Sequence, residues 1–126
     1  MVHSNMDDSE TIEPILDVRF FLYDNGTEPV REWLRSIPKE HRRAIGEDIK
    51  TVQFRWPLGM PTVRKLGKGI WEVRTNLVDG IARVLFTTDT GLMILLHGFI
   101  KKTRSTPADD LTIARKRLSD YKRGKK

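Results

Sequence analysis

Residues 17–121 predict an α+β domain in which a first strand and a helical hairpin precede an antiparallel β-meander and a C-terminal helix. Three observations predict it. Between Val30 and Trp56, apolar residues recur at helical spacing with charged residues between them. From Thr62 to Ile100, runs rich in β-branched and aromatic residues alternate with glycine-containing turns. Thr106-Pro107-Ala108-Asp109 then opens a last segment with one apolar stripe, Leu111, Ala114, Leu118 and Tyr121.

Taken in order, Met1–Leu16 is acidic and aperiodic, so residues 1–16 are expected to be a disordered leader. Asp17–Tyr23 forms the first strand, and Asp24-Asn25-Gly26 turns the chain. Thr27 is placed to cap a short helix with Pro29 in its first turn and Val30, Trp33, Leu34 and Ile37 inward. Pro38 separates it from a second helix, whose buried face is Ile45, Ile49, Val52 and Trp56 and which Pro57 stops. Val63–Leu66 is a short strand and Gly67-Lys68-Gly69 a turn. Ile70–Val78 and Ile81–Thr88 are joined by Asp79-Gly80, a strong hairpin signal, and Asp89-Thr90-Gly91 leads into Leu92–Ile100. In the final helix Thr106 caps, Pro107 takes the first position, and acids follow near the positive end of the dipole. Residues 122–126 form a basic tail.

Composition narrows the chemistry. The chain of 126 residues lacks cysteine, which excludes disulfides, thiolate metal sites and cysteine nucleophiles and agrees with a cytoplasmic location. Its longest apolar run, Leu92–Leu96, is far too short to span a membrane. Residues 1–63 hold 8 Lys/Arg against 11 Asp/Glu, net −3, so of the overall +6 the second half carries +9. Such a field attracts phosphate backbones or an acidic protein partner. His3, His41 and His97 make no metal spacing, and Ser36, Ser105 and Ser119 have no histidine placed to activate them.

Turn lengths set the strand registers. A two-residue Asp79-Gly80 loop places Arg74 opposite Leu85, and a three-residue Asp89–Gly91 loop places Arg83 opposite His97. One face then carries Trp71, Val73, Ala82, Val84, Phe86, Ile94, Leu96 and Ile100 and packs on the helices. The other carries Glu72, Arg74, Ile81, Arg83, Leu85, Leu95, His97, Phe99 and Lys101. A shorter second loop would instead turn His97 into the core and Ile94 and Leu96 outward.

The mixed face has the residue types that RNA chemistry uses. Arginines grip a phosphate and stabilise its developing charge, an aromatic ring stacks on an unpaired base, and a histidine or lysine moves a proton near neutral pH. RNA supplies its own nucleophile, the 2′-hydroxyl, so this chemistry requires neither metal nor cofactor. The same pattern also describes a half-exposed sheet face with solvated charges.

The runs Gly59–Leu66, Gly69–Arg74, Arg83–Phe86 and Leu95–Pro107, continued by Ala114-Arg115-Lys116-Arg117-Leu118, resemble the phage-derived HigB-like branch of the RelE/ParE toxin superfamily. The resemblance covers about residues 17–121 and implies a single domain with the helical hairpin packed on a twisted antiparallel sheet. It implies the toxin of a type II toxin–antitoxin system. HigB- and RelE-like members are mRNA endoribonucleases acting on the translating ribosome, whereas ParE-like members inhibit DNA gyrase without cutting. Transferred by position, Lys65, Arg74, Arg83 and His97 are the catalytic candidates, and Arg64, Phe99, Lys101 and Lys102 the RNA contacts. Arg74 and Arg83 would clamp the phosphate, His97 act as general acid or base, Lys65 activate electrostatically, and Phe99 stack on a base. Several RelE-like members carry a tyrosine near the end of the sheet. Here that neighbourhood offers His97 and Phe99, and Tyr121 could substitute only if the last helix folds over the site. The implied partners are a helix-turn-helix, HigA-like antitoxin, mRNA and the ribosome.

Overall fold

The computed structural model describes residues 12–124, so residues 1–11 of the expected leader and residues 125–126 of the tail lie outside the described residues. The elements are β1 (Asp17–Phe20), α1 (Pro29–Ser36), α2 (Lys39–Arg55), β2 (Val63–Gly67), β3 (Ile70–Leu77), β4 (Gly80–Asp89), β5 (Leu92–Lys101) and α3 (Ala108–Gly124). The five strands form one sheet in the order β1-β5-β4-β3-β2, with β1 parallel to β5 and every other pairing antiparallel. None of the described helices is long and apolar enough to cross a membrane.

The hairpin α1–α2 covers one face of the sheet. Val30, Ile45, Ile49 and Val52 pack there on Val73, Val84, Phe86, Met93 and Leu95. Leu16, assigned from the sequence to the leader, joins this core, and the amides of Ile15 and Leu16 donate to the carbonyl of Gln53. Helix α3 covers the other face, where Ala114 and Leu118 pack on Leu85, Ile94, Leu96 and Phe99. Both faces are therefore dry over much of their area, and the mixed face is not a half-exposed one.

Helix caps differ from expectation at both predicted sites. Glu28, not Thr27, occupies the α1 cap, without a side-chain bond, because the Thr27 amide instead donates to Asn25 in the preceding turn. The Thr106 hydroxyl leaves the start of α3 and donates to Glu72 across the sheet.

Both hairpin registers also shift. Leu77 pairs with Gly80, so Val78-Asp79 makes the first turn, and Arg74 faces Arg83 instead of Leu85. Gly80 is used for strand approach: an added Cβ would lie 3.3 Å from the Lys101 carbonyl oxygen. A shift of two in the sum of paired numbers leaves every side chain on its expected face. In the second hairpin Asp89 pairs with Leu92, and Thr90 and Gly91 both take left-handed backbone angles, as a two-residue turn of this hand requires. A bulge then slips the register, since Leu85 pairs with His97 but Phe86 with Leu95. Leu96 is the extra residue. Between turn and bulge, the two-residue turn shifts the pairing by one, so Leu95 packs with α1–α2 while Ile94 and Leu96 pack under α3, the reverse of their expected faces. Beyond the bulge, His97, Phe99 and Lys101 return to the expected side, with Arg83 facing Phe99.

Candidate nucleic-acid interface

Strand pairing builds the site in rows. Arg64 on β2 faces Glu72 on β3, and in the next row Arg74, Arg83 and Phe99 follow one another across β3, β4 and β5. Two arginines directly opposed would repel. Glu72, completely buried, supplies the opposing charge: its Oε1 accepts from Arg74 Nη1 at 2.8 Å and its Oε2 from the Thr106 hydroxyl at 2.7 Å. Arg83 is also completely buried. Its Nη1 donates to the Ser105 carbonyl at 2.6 Å, and its guanidinium carbon lies 5.6 Å from the Phe99 ring centre. Its Nε and Nη2 have no hydrogen-bond partner among the described residues. Burial pulls the Arg83 pKa below its ordinary value, against the opposing pull of Glu72 and with the help of Arg74 and Arg64.

The connection from β5 to α3, residues 102–107, crosses above these side chains as a strap. Arg64 Nη1 donates to the Arg104 carbonyl at 3.3 Å, Arg83 to Ser105, and Thr106 to Glu72. The strap's own Lys102 and Arg104 are exposed, as is Lys101 beside it, so a cationic rim surrounds a buried cationic centre.

The candidate proton-transfer group is held on both sides. His97 Nε2 lies 2.7 Å from Asp110 Oδ1 and Nδ1 lies 3.4 Å from Arg117 Nη1, so the neutral ring donates to the carboxylate and accepts from the guanidinium. Asp110 also takes Lys101 Nζ on Oδ2 at 3.0 Å. Arg117 further donates to the Tyr23 hydroxyl and the Leu96 carbonyl. Burial holds the His97 pKa below its usual value even though Asp110 pulls it upward. Burial pushes Asp110 upward, but the hydrogen bonds from His97 and Lys101 outweigh it and leave that carboxyl below its usual value.

A pH dependence follows. Because folding depresses the His97 pKa, the unfolded chain binds the proton more tightly, and its stabilising contribution is complete above the unfolded value and declines as pH falls. Thermal unfolding should show a midpoint that drops between about pH 7 and about pH 5, and His97→Gln should flatten that slope. An unchanged slope in His97→Gln would show that the loss comes from other groups.

Not every sequence-derived candidate joins this cluster. Lys65 pairs with Trp71, so it projects on the α1–α2 side of the sheet, opposite Arg64, Arg74 and Arg83. Phe99 is only 7% exposed, stacks on His97 and lies beneath α3, so no base can stack on it in this arrangement. Tyr121 does lie on a helix folded over this face, but at the far end of β4. Its hydroxyl donates to Asp89 at 2.7 Å, and burial, reinforced by Asp89, leaves its pKa pushed up to about 12. Glu72, Asp110 and Arg117 carry the electrostatics without having been assigned a role from the sequence. Asp110 had a legible signal: it stands four residues before Ala114 and eight before Leu118, on the buried stripe of α3.

Residues 32–119 match the family model described as Phage derived protein Gp49-like (DUF891). No curated protein matches the chain.

Proposed function

The chain belongs to the phage-derived Gp49-like family, whose members are commonly toxin-like proteins of the RelE/HigB type, and from that premise we propose that it is the RNA-cleaving toxin of a type II toxin–antitoxin pair. The observation that carries this reading is the gathering of Arg64, Arg74 and Arg83 on one sheet face inside a rim of Lys101, Lys102 and Arg104. Such a centre neutralises a phosphodiester as charge develops during attack by the neighbouring 2′-hydroxyl, and phosphoryl transfer depends mostly on positioning and charge stabilisation. His97, oriented by Asp110, lies on the same face and is the group proposed to move a proton. Lys65, on the other side of the sheet, contributes to long-range attraction of RNA and not to the reacting phosphate. A helix-turn-helix, HigA-like antitoxin would restrain the activity, and a carboxylate-rich segment on the cationic rim would compete with RNA phosphates for the same side chains.

The test substitutes Arg83→Met, which keeps the buried volume while removing the charge. In the induced strain, the unmodified chain should slow growth and create new 5′ ends within coding regions, and folded Arg83→Met should do neither. Undiminished toxicity in folded Arg83→Met refutes the site. A second reading, a ParE-like binder of gyrase or an inactive binding remnant, draws on the engagement of both His97 nitrogens. Induction of the DNA-damage response without transcript cleavage would select the gyrase binder.

A further inference from the structure

We infer that the strap 102–107 is a gate whose own carbonyl oxygens occupy a phosphodiester site made by Arg64 and Arg83, so that RNA enters only when the strap is displaced. The inference rests on the proposed phosphate-binding role of this face and adds how that site is kept closed. Two successive backbone oxygens, those of Arg104 and Ser105, sit on two guanidinium groups that come from β2 and β4, on either side of β3, at 3.3 Å and 2.6 Å. Acceptor oxygens held by two arginines are also what a phosphodiester presents. The carbonyls satisfy this site poorly. Arg83 keeps two buried donors without partners among the described residues, and the nearby carboxylate, Glu72, is already engaged by Arg74 and Thr106. A phosphate brings more acceptor oxygens and a full negative charge, so it outcompetes a carbonyl for this centre once admitted.

The strap is built to move. All of residues 102–105 are exposed, and the segment bears no helix or strand. Besides the two carbonyls on Arg64 and Arg83, which a phosphate would replace, Thr106 to Glu72 is the one attachment to the sheet among the described hydrogen bonds. Its outer surface carries Lys102 and Arg104, which would meet an approaching RNA backbone first. Helix α3 is anchored independently through Asp110, Ala114 and Leu118, so the strap can swing without unseating it.

When a site is open for only a fraction of the time, apparent affinity is reduced by that fraction. Thr106→Val keeps the shape of the side chain and removes the attachment to Glu72. It should therefore tighten binding of a short uncleavable 2′-O-methyl RNA, by about tenfold for a hydrogen bond to a charged group at the weak end of its range. In the chain carrying spin labels on Thr103→Cys in the strap and Arg115→Cys on α3, both exposed positions, saturation with the same RNA should lengthen the distance between the labels. Unchanged or weaker binding by Thr106→Val, or a label distance that RNA leaves unchanged or shortens, overturns the gate. If Arg83→Met has nevertheless lost affinity, the phosphate site survives that result. Binding that Arg83→Met does not weaken, or no binding by any of the proteins, removes the phosphate reading and the gate with it.

Discussion

Glu72→Gln should lower the unfolding free energy by about 3 kcal/mol, because it strips the counter-charge from a buried pair of arginines. Glu72 accepts from Arg74 and from Thr106, and its charge opposes the cost of burying Arg83. An amide at the same position keeps one acceptor oxygen, which can still face Arg74 with its NH2 on the Thr106 hydroxyl. It carries no negative charge to set against the guanidinium groups. Urea unfolding checks the expectation: the midpoint should fall while the slope stays constant. Combining Glu72→Gln with Arg83→Met should recover part of the loss, since the uncompensated cation is then gone. A loss below about 1 kcal/mol would mean that Glu72 is not the counter-ion these side chains need.

Gly98→Ala should destabilise the fold by about 2 kcal/mol through overpacking alone. Gly98 faces the α1–α2 hairpin, and an added Cβ would lie 2.4 Å from two ring carbons of Trp33. The indole cannot rotate away cheaply, because it is wedged between α1 and the sheet as part of the core. The effect should appear in thermal unfolding and should shrink in the double variant Gly98→Ala, Trp33→Leu, which frees the space the methyl group needs. Additive losses in the double variant would show that the contact is not the cause.

Arg74, Arg83, His97, Phe99 and Lys101 share a face in the structure as the sequence predicts, although neither hairpin has the predicted register. In the first hairpin the pairing moved by two, which returns every side chain to its original side. In the second, the two-residue turn shifted the pairing by one and so reversed the faces of Ile94, Leu95 and Leu96, and the bulge at Leu96 restored the expected side from His97 onward. Apolar residues gave no warning of this reversal, because the sheet is covered on both faces and a leucine is satisfied on either.

The amino-acid sequence by itself determined the order of the elements and the common face of the central cations, because turn residues and the two-residue period of a strand act over short distances. The tertiary structure alone decided the rest. Lys65 falls on the opposite face because β2 pairs Lys65 with Trp71. Arg83 and Phe99 are buried because α3 and the strap return across their face. Among the described residues, Arg83 donates its one hydrogen bond to a carbonyl 22 residues away, and His97 meets Asp110 across 13. Those partners depend on the path of a loop through space, and side-chain periodicity carries no information about where a backbone carbonyl will come to rest.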